Sequence, residues 1–350
     1  MTEYDPFARG PHPVGVRTID VPDAARDRVV PVEVWYPATD GYAGQDLDDA
    51  TRDAFELMSG LPASRQDAVR DGKPAAGPFP AVVFSHGFAG HRRQTTHLCT
   101  HLASHGYAVA APDHVGNTVA DVMAMIMNGV TMADAGAYVA QSAADRPLDA
   151  IRALDALLAG DAGIAVRDDG AGMTGHSFGG WTTLQTAGRD DRIVAAVPLA
   201  PAGGITERSF GPAVSMADLL DLSWSRSVPT LMIVADEDAV LPIDGMRDLL
   251  GRGASIERMV VIGNADHFHF CDGAEMVHDM MAPMMAGQTK PSSAFVPGAH
   301  AYDVTNGLGL AHFDAVLRHR PEAVAFLERD PVEVLAERGI AVSVELAPPR

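Results

Sequence analysis

Lys73 and Lys290 are the only lysines in this chain of 350 residues, and Cys99 and Cys271 are the only cysteines. Two thiols with no C-x-x-C spacing build no disulfide framework, so they say little about redox compartment; buried, inert thiols are expected. Positive charge is therefore almost all arginine, and it is outweighed to a net −20. Such a surface repels nucleic acid and anionic membranes and favours solubility. No apolar run approaches the ~18 to 20 residues of a membrane span. The opening residues, Met1 to Pro6, lack the basic-then-apolar order of a signal peptide. A cytoplasmic protein with no stable membrane insertion is the expectation, and a homo-oligomer is left open. Internal repeats and low-complexity segments are missing too.

What is present is a large apolar fraction, 47%, enough for one α/β core with insertions. Residues 1–15 read as an arm over the surface. Val14–Val21 and Val29–Tyr36 cluster β-branched residues and predict an antiparallel pair. Residues 38–78 look like an excursion carrying one helix, roughly Asp48 to Met58. From Phe79 onward, short apolar strands alternate with helices, which predicts a mostly parallel central sheet covered on both faces. The strands are Ala81–Phe84, Tyr107–Ala111, Gly170–Thr174, Ile193–Leu199, Thr230–Ala235 and Met259–Ile262. Helices are expected at Gln94–His105, Asp145–Leu158 and Gly307–Leu317, the last reaching as far as Glu328. The tail from Asp330 is unassigned.

Two stretches, 116–142 and 271–306, exceed ordinary βα loops of ~2 to 6 residues. They hold Met123, Met125, Met127 and Met132, and Met276, Met280, Met281, Met284 and Met285. Adaptable core filling is one reading of these methionines; a partial Met-rich cap over an apolar acyl pocket is the other.

The organising stretch is Gly175-His176-Ser177-Phe178-Gly179, a G-x-S-x-G pattern set between an apolar strand and a helix. It forces a serine onto a sharp turn, and glycines on either side let the helix backbone approach the strands. Ser177 is the candidate nucleophile. A serine hydroxyl needs a base, an orienting acid and oxyanion donors. The acid is sought after the strand Thr230–Ala235, where Asp238 is preferred and Asp236 is the alternative. The base is sought after Ile262, where His267 is preferred over His269, while Asp266 is expected to fix the loop. The oxyanion donors expected are the backbone N–H groups of Phe88, in Ser85-His86-Gly87-Phe88, and of Phe178. His97, His101 and His105 lie at i, i+4, i+8 with Cys99 nearby, a spacing that a zinc ion can use. They have no accompanying H-E-x-x-H glutamate, so a polar helix face is expected and no metal.

Taken together, Val34–Ala38, Phe79–Phe88, Leu102–Tyr107, Ala110–His114 and Gly175–Gly180 resemble the α/β-hydrolase family, in its platelet-activating-factor-acetylhydrolase-like and dienelactone-hydrolase-like branch. The resemblance covers roughly residues 14 to 270. It implies one α/β-hydrolase domain over 1–350, ester hydrolysis through an acyl-enzyme, and no cofactor. It also implies that Ser177, His267, Phe88 and Phe178 are nucleophile, base and oxyanion donors. Acetylhydrolases carry their aspartate after the strand following the nucleophile helix, where this chain reads Pro198-Leu199-Ala200-Pro201. Its Ser227–Pro242 segment is instead similar to the acid-bearing segment of bacterial cutinase-like polyester hydrolases, in support of Asp238. Dienelactone hydrolases use a cysteine where Ser177 stands. The substrate expected is a small-molecule or lipid-like ester. A polyester- or lipid-directed hydrolase, a thioesterase or acyltransferase, and a non-catalytic binding protein on the same fold are the alternatives.

Overall fold

The computed structural model describes residues 4–348, apart from 57–62, 130–131, 207–214, 254 and 286 and the side chains of 132–135. Met58 and the Met132 side chain therefore lie outside the described residues. The chain opens with the antiparallel pair β1 (Val14–Asp23) and β2 (Arg28–Pro37), in register from Val14 opposite Pro37 to Asp23 opposite Arg28. Three two-residue strands follow. β3 (Ala54–Phe55) and β4 (Ser64–Arg65) pair with each other, and β5 (Val69–Arg70) pairs with β1. The helix expected from Asp48 is not formed; the chain turns there and enters β3. Its acidic and small residues spend their polar groups on local turns, such as Asp48 accepting from the Ala50 N–H.

The alternating part begins with β6 (Phe79–Ser85), α1 (Thr96–Ser104), β7 (Ala108–Pro112), α2 (Val119–Met127) and α3 (Met132–Ala159). It continues through β8 (Val166–His176), α4 (Phe178–Arg189), β9 (Ile193–Leu199), β10 (Thr230–Ala235), α5 (Ile243–Arg252) and β11 (Ile256–Ile262). The chain closes with α6 (Ala274–Met281), α7 (Gly298–Leu317), α8 (Pro321–Leu327), α9 (Pro331–Ala336) and β12 (Val342–Leu346). The sheet runs β12-β11-β10-β9-β8-β6-β7-β2-β1-β5, with β6 through β11 mutually parallel. The serine turn thus ends the third parallel strand, as the pattern predicted.

Strand residues alternate between two apolar layers. Val82, Phe84, Ile233 and Val260 face α1, α7, α8 and α9. Ala81 and Val83 face α3, and Met232 and Val261 face α4 and α5. Burying a Val, Leu, Ile, Phe or Met side chain is worth about 1.5–3 kcal/mol. β6, β9, β10 and β11 bury such side chains on both faces, which is why these strands read as near-continuous apolar runs.

Two helix boundaries differ from expectation. α3 starts at Met132 rather than Asp145, and the helix runs through Pro147. α7 starts at Gly298, nine residues before Gly307. Gly307 is no helix breaker here: a Cβ on it would sit 2.2 Å from the Phe7 ring, so the glycine makes room for the N-terminal arm.

That arm is also held by histidines. His101 and His105 donate from Nε2 to the Pro6 and Ala8 carbonyls, 2.9 and 2.8 Å. His97 stacks on Tyr302 and meets Asn306. The polar stripe of α1 thus serves the arm and α7, and among the described residues no group of three or more His, Cys, Asp or Glu is placed to hold a metal ion. No helix among them is long and apolar enough to cross a membrane.

Burial pushes His101 down to about 3 and His312 down to about 4, from the ordinary 6.5. The fold prefers their neutral form. Their contribution is therefore fully present above pH 6.5 and is lost as pH falls towards the folded values. Because the full slope of about 1.4 kcal/mol per unit each is reached only below the ordinary value, the pair should remove about 3 kcal/mol between pH 6.5 and pH 5. Urea unfolding at the two pH values measures this, and His101→Asn with His312→Asn should flatten it; an unchanged pH dependence in the double variant would refute the assignment.

Candidate active site

Ser177 sits between β8 and α4 with φ 60° and ψ −117°. A serine held there costs about 1–3 kcal/mol, so its surroundings must impose the conformation. They do: the Ser177 N–H donates to the Leu199 carbonyl at 2.9 Å, and the Ser177 carbonyl accepts from Ala202 at 3.0 Å and Trp181 at 3.1 Å. The flanking glycines permit it. A Cβ on Gly179 would lie 1.8 Å from the Ser85 carbonyl oxygen, and one on Gly175 would lie 2.5 Å from the oxygens of both Gly179 and Ser85.

His267 lies on the turn after β11, and its ring is 4.5 Å from that of His176, the residue before Ser177. Its Nδ1–H donates to Asp238 Oδ2 at 2.6 Å. The other Asp238 oxygen accepts from the N–H groups of Val240 and Leu241, 2.8 and 2.6 Å, so the carboxylate is oriented from both sides. Asp236 instead accepts from the Ala265 N–H at 3.3 Å. Asp266 binds the Phe268 N–H at 3.0 Å, His269 Nδ1 at 2.6 Å and His278 Nδ1, tying the histidine loop to α6. Burial opposes a charge on His269, but its bond to Asp266 raises its pKa overall. His269 also donates to the Val296 carbonyl, 2.8 Å away, which leaves it no free nitrogen.

Phe88 follows β6 on the loop Ser85–Gly90. His86 accepts the His114 N–H at Nε2, 3.0 Å, and so carries its proton on Nδ1, from which it donates to the Gly87 carbonyl at 2.7 Å. Because a trans peptide points its C=O and N–H in opposite directions, this bond turns the Phe88 N–H away from His86. Gly87 lies against the Ser177 turn, since a Cβ on it would be 3.4 Å from the Ser177 Cβ. Phe178 is the first residue of α4, where a helix leaves its backbone donors unpaired.

Polar side chains that local sequence patterns did not single out hold these loops together. Gln94 precedes α1 instead of starting it. The Gly87 N–H requires an acceptor, so Gln94 presents Oε1 to it at 2.7 Å and its NH₂ to His176 Nδ1, 2.7 Å, and Cys271 Sγ, 3.0 Å. Burial keeps His86, His114 and His176 neutral and raises the Cys271 thiol to about 12. Behind the loop, Ser85 Oγ meets His114 Nε2 at 2.8 Å, and His114 Nδ1 meets Asp149 Oδ2 at 3.1 Å. All three are buried. Burial raises Asp149 to about 6 against the opposing pull of Arg28 and Arg26. Arg146 of α3 reaches the same layer and contacts Ser85, His86, Asn117, Thr182 and the Phe178 ring. Only their common burial against one loop distinguishes these residues, and no sequence spacing encodes that.

The Met-rich stretches follow β7 and β11 at the C-terminal edge of the sheet. Met123, Met127, Met276, Met280 and Met284 are exposed, contrary to the core-filling expectation, while Met285 is buried.

A family described as platelet-activating factor acetylhydrolase, isoform II, matches residues 57–127 together with the two before them, 55–127 in all, a span that contains the Phe88 loop and Gln94. A bis(hydroxyethyl) terephthalate hydrolase of Streptomyces coelicolor is 29% identical over 198 residues, 55% of this chain and 51% of that protein. Cutinase est1 of Thermobifida alba is 29% identical over 198 residues, 54% of each chain. This chain spans about half the length of the curated relatives it matches. Among solved structures, a ferulic acid esterase from Streptomyces cinnamoneus superposes with a TM-score of 0.65 at 25% identity, over 96% of both chains.

Proposed function

Since its fold is that of the α/β-hydrolases and these likenesses support an esterase family within it, we propose that this chain cleaves carboxylic esters through a Ser177 acyl-enzyme. The observation that carries the reading is the pairing of His267 with Asp238 beside the strained Ser177 turn. In this scheme Ser177 Oγ attacks the ester carbonyl while His267 Nε2 takes its proton. Asp238 fixes the tautomer that leaves Nε2 free and stabilises the imidazolium. The N–H groups of Phe88 and Phe178 receive the oxyanion. His267 then protonates the departing alcohol, and water, activated by the same ring, releases the acid. No cofactor is called on.

The names of the relatives extend the reading to aromatic acyl groups, because terephthalate and ferulate are both aromatic acids. The test is hydrolysis of p-nitrophenyl esters from acetyl to long acyl chains, with an aromatic ester alongside, together with fluorophosphonate labelling mapped by mass spectrometry. Ester turnover with the label on Ser177 supports the proposal; a folded protein that neither hydrolyses nor labels favours a binding role. We further propose that the segment after β11 walls the acyl pocket. Met281→Ser with Met285→Ser should then raise KM for octanoyl esters roughly fivefold while leaving acetyl esters nearly unchanged, since each CH₂ removed from water is worth about 0.8 kcal/mol. Equal effects on both chain lengths would sink the cap.

A further inference from the structure

Arg146 is a fully buried arginine in a chain with 46 acidic residues, yet among the described residues no carboxylate lies within ion-pair distance of it. Asp149, one turn further along α3, spends its oxygens on Arg26, Arg28 and His114 instead. All the acceptors of Arg146 are neutral. Nε donates to Thr182 Oγ1 at 3.1 Å, Nη1 to Asn117 Oδ1 at 2.6 Å, and Nη2 to Ser85 Oγ at 3.3 Å and to the His86 carbonyl. Taking a guanidinium out of water costs several kcal/mol, which neutral acceptors offset only in part. Burial accordingly lowers its pKa to about 9. A core that needed only volume at this position would be served by methionine.

The contacts fall on both carriers of the proposed oxyanion donors. His86 is two residues before Phe88, on the loop whose peptide orientation it sets. Thr182 Oγ1 donates to the Phe178 carbonyl at 2.8 Å, and the guanidinium lies 4.4 Å from the centre of the Phe178 ring. One rigid, planar fork therefore ties the Phe88 loop to the first turn of α4. We infer that Arg146 is a positioning residue of the oxyanion hole: it fixes the spacing of the two donors and keeps an unpaired positive charge behind them. The inference rests on the esterase reading of Ser177. A negative oxygen develops in the transition state and not in the bound ester, so the charge should act on kcat and leave KM alone.

The discriminating variant is Asn117→Asp, which keeps the arginine and its hydrogen bond, gives up the Asn117 Nδ2 bond to the Tyr138 hydroxyl, and pairs the cation with a carboxylate. It should hold or raise the melting temperature while lowering kcat for p-nitrophenyl acetate roughly tenfold, as charge neutralisation in a buried site predicts. Arg146→Met should lower kcat on the order of 10²-fold with KM within about twofold, and should weaken a trifluoromethyl ketone, which binds as a tetrahedral oxyanion, by the same factor. Arg146→Lys should recover part of that loss. If Arg146→Met does not fold, Asn117→Asp and Arg146→Lys still decide the matter. Asn117→Asp with wild-type kcat, or Arg146→Met losing activity only in step with its melting temperature, overturns the inference while the esterase reading stands. A wild type inert to every ester overturns both.

Discussion

Ser177→Ala should lower ester turnover by roughly 10⁶-fold while leaving the protein folded. Both halves of that expectation come from the backbone. The turn at φ 60° is held by the Leu199 carbonyl, the Ala202 N–H and the close approach of Gly175 and Gly179 to Ser85, none of which uses the serine hydroxyl. Alanine can occupy the same strained position with a Cβ and no nucleophile. Whatever rate survives would then reflect the oxyanion donors and substrate binding, which alone sustain about 10³–10⁴-fold over water in serine hydrolases. The measurement is p-nitrophenyl acetate hydrolysis by repurified variant, with its melting curve recorded alongside. A folded variant within 10²-fold of wild type on the same ester, by the same order-of-magnitude reasoning, would remove Ser177 from the chemistry.

Asp238→Asn is expected to cost about 10⁴-fold in kcat, and Asp236→Asn no more than about threefold. The difference follows from what each carboxylate touches. Asp238 receives the His267 Nδ1–H at 2.6 Å and is itself aimed by two backbone donors. An asparagine keeps those backbone bonds through its oxygen, but it presents NH₂ to the imidazole. The ring would answer by moving its proton to Nε2, where it could no longer accept one from Ser177. Asp236 has a long bond to the Ala265 N–H and none to the histidine, so its amide should be tolerated. A large loss in Asp236→Asn with little in Asp238→Asn would reverse the choice between them.

The features legible in the sequence are those written in local pattern. The β1–β2 pair shows in clustered β-branched residues, the parallel strands in apolar runs, and the serine turn in glycines whose missing Cβ atoms the neighbouring backbone demands. The relation between Asp238 and His267 was open in the sequence, because two aspartates flank one glutamate and only the turn decides which faces the ring. Gln94, Arg146, His114 and Asp149 were illegible for a different reason: each is a polar residue on a helix or in a loop, and its significance lies in partners up to 177 residues away. α9 and β12 went unseen because β12 forms only by pairing with β11 across the whole C-terminal excursion. The starts of α3, at Met132, and of α7, at Gly298, went unseen too.

The sealed set Ser85, His114 and Asp149 carries a lesson about recognising enzymes from coordinates. A search by interatomic distance would retrieve it as a hydroxyl, an imidazole and a carboxylate in hydrogen-bonded sequence, and would return two candidate catalytic centres from this one chain. Yet no ester can reach Ser85, whose side chain is completely enclosed. Here a hydroxyl, an imidazole and a carboxylate in hydrogen-bonded sequence do mechanical service, tying the end of β6 to α3.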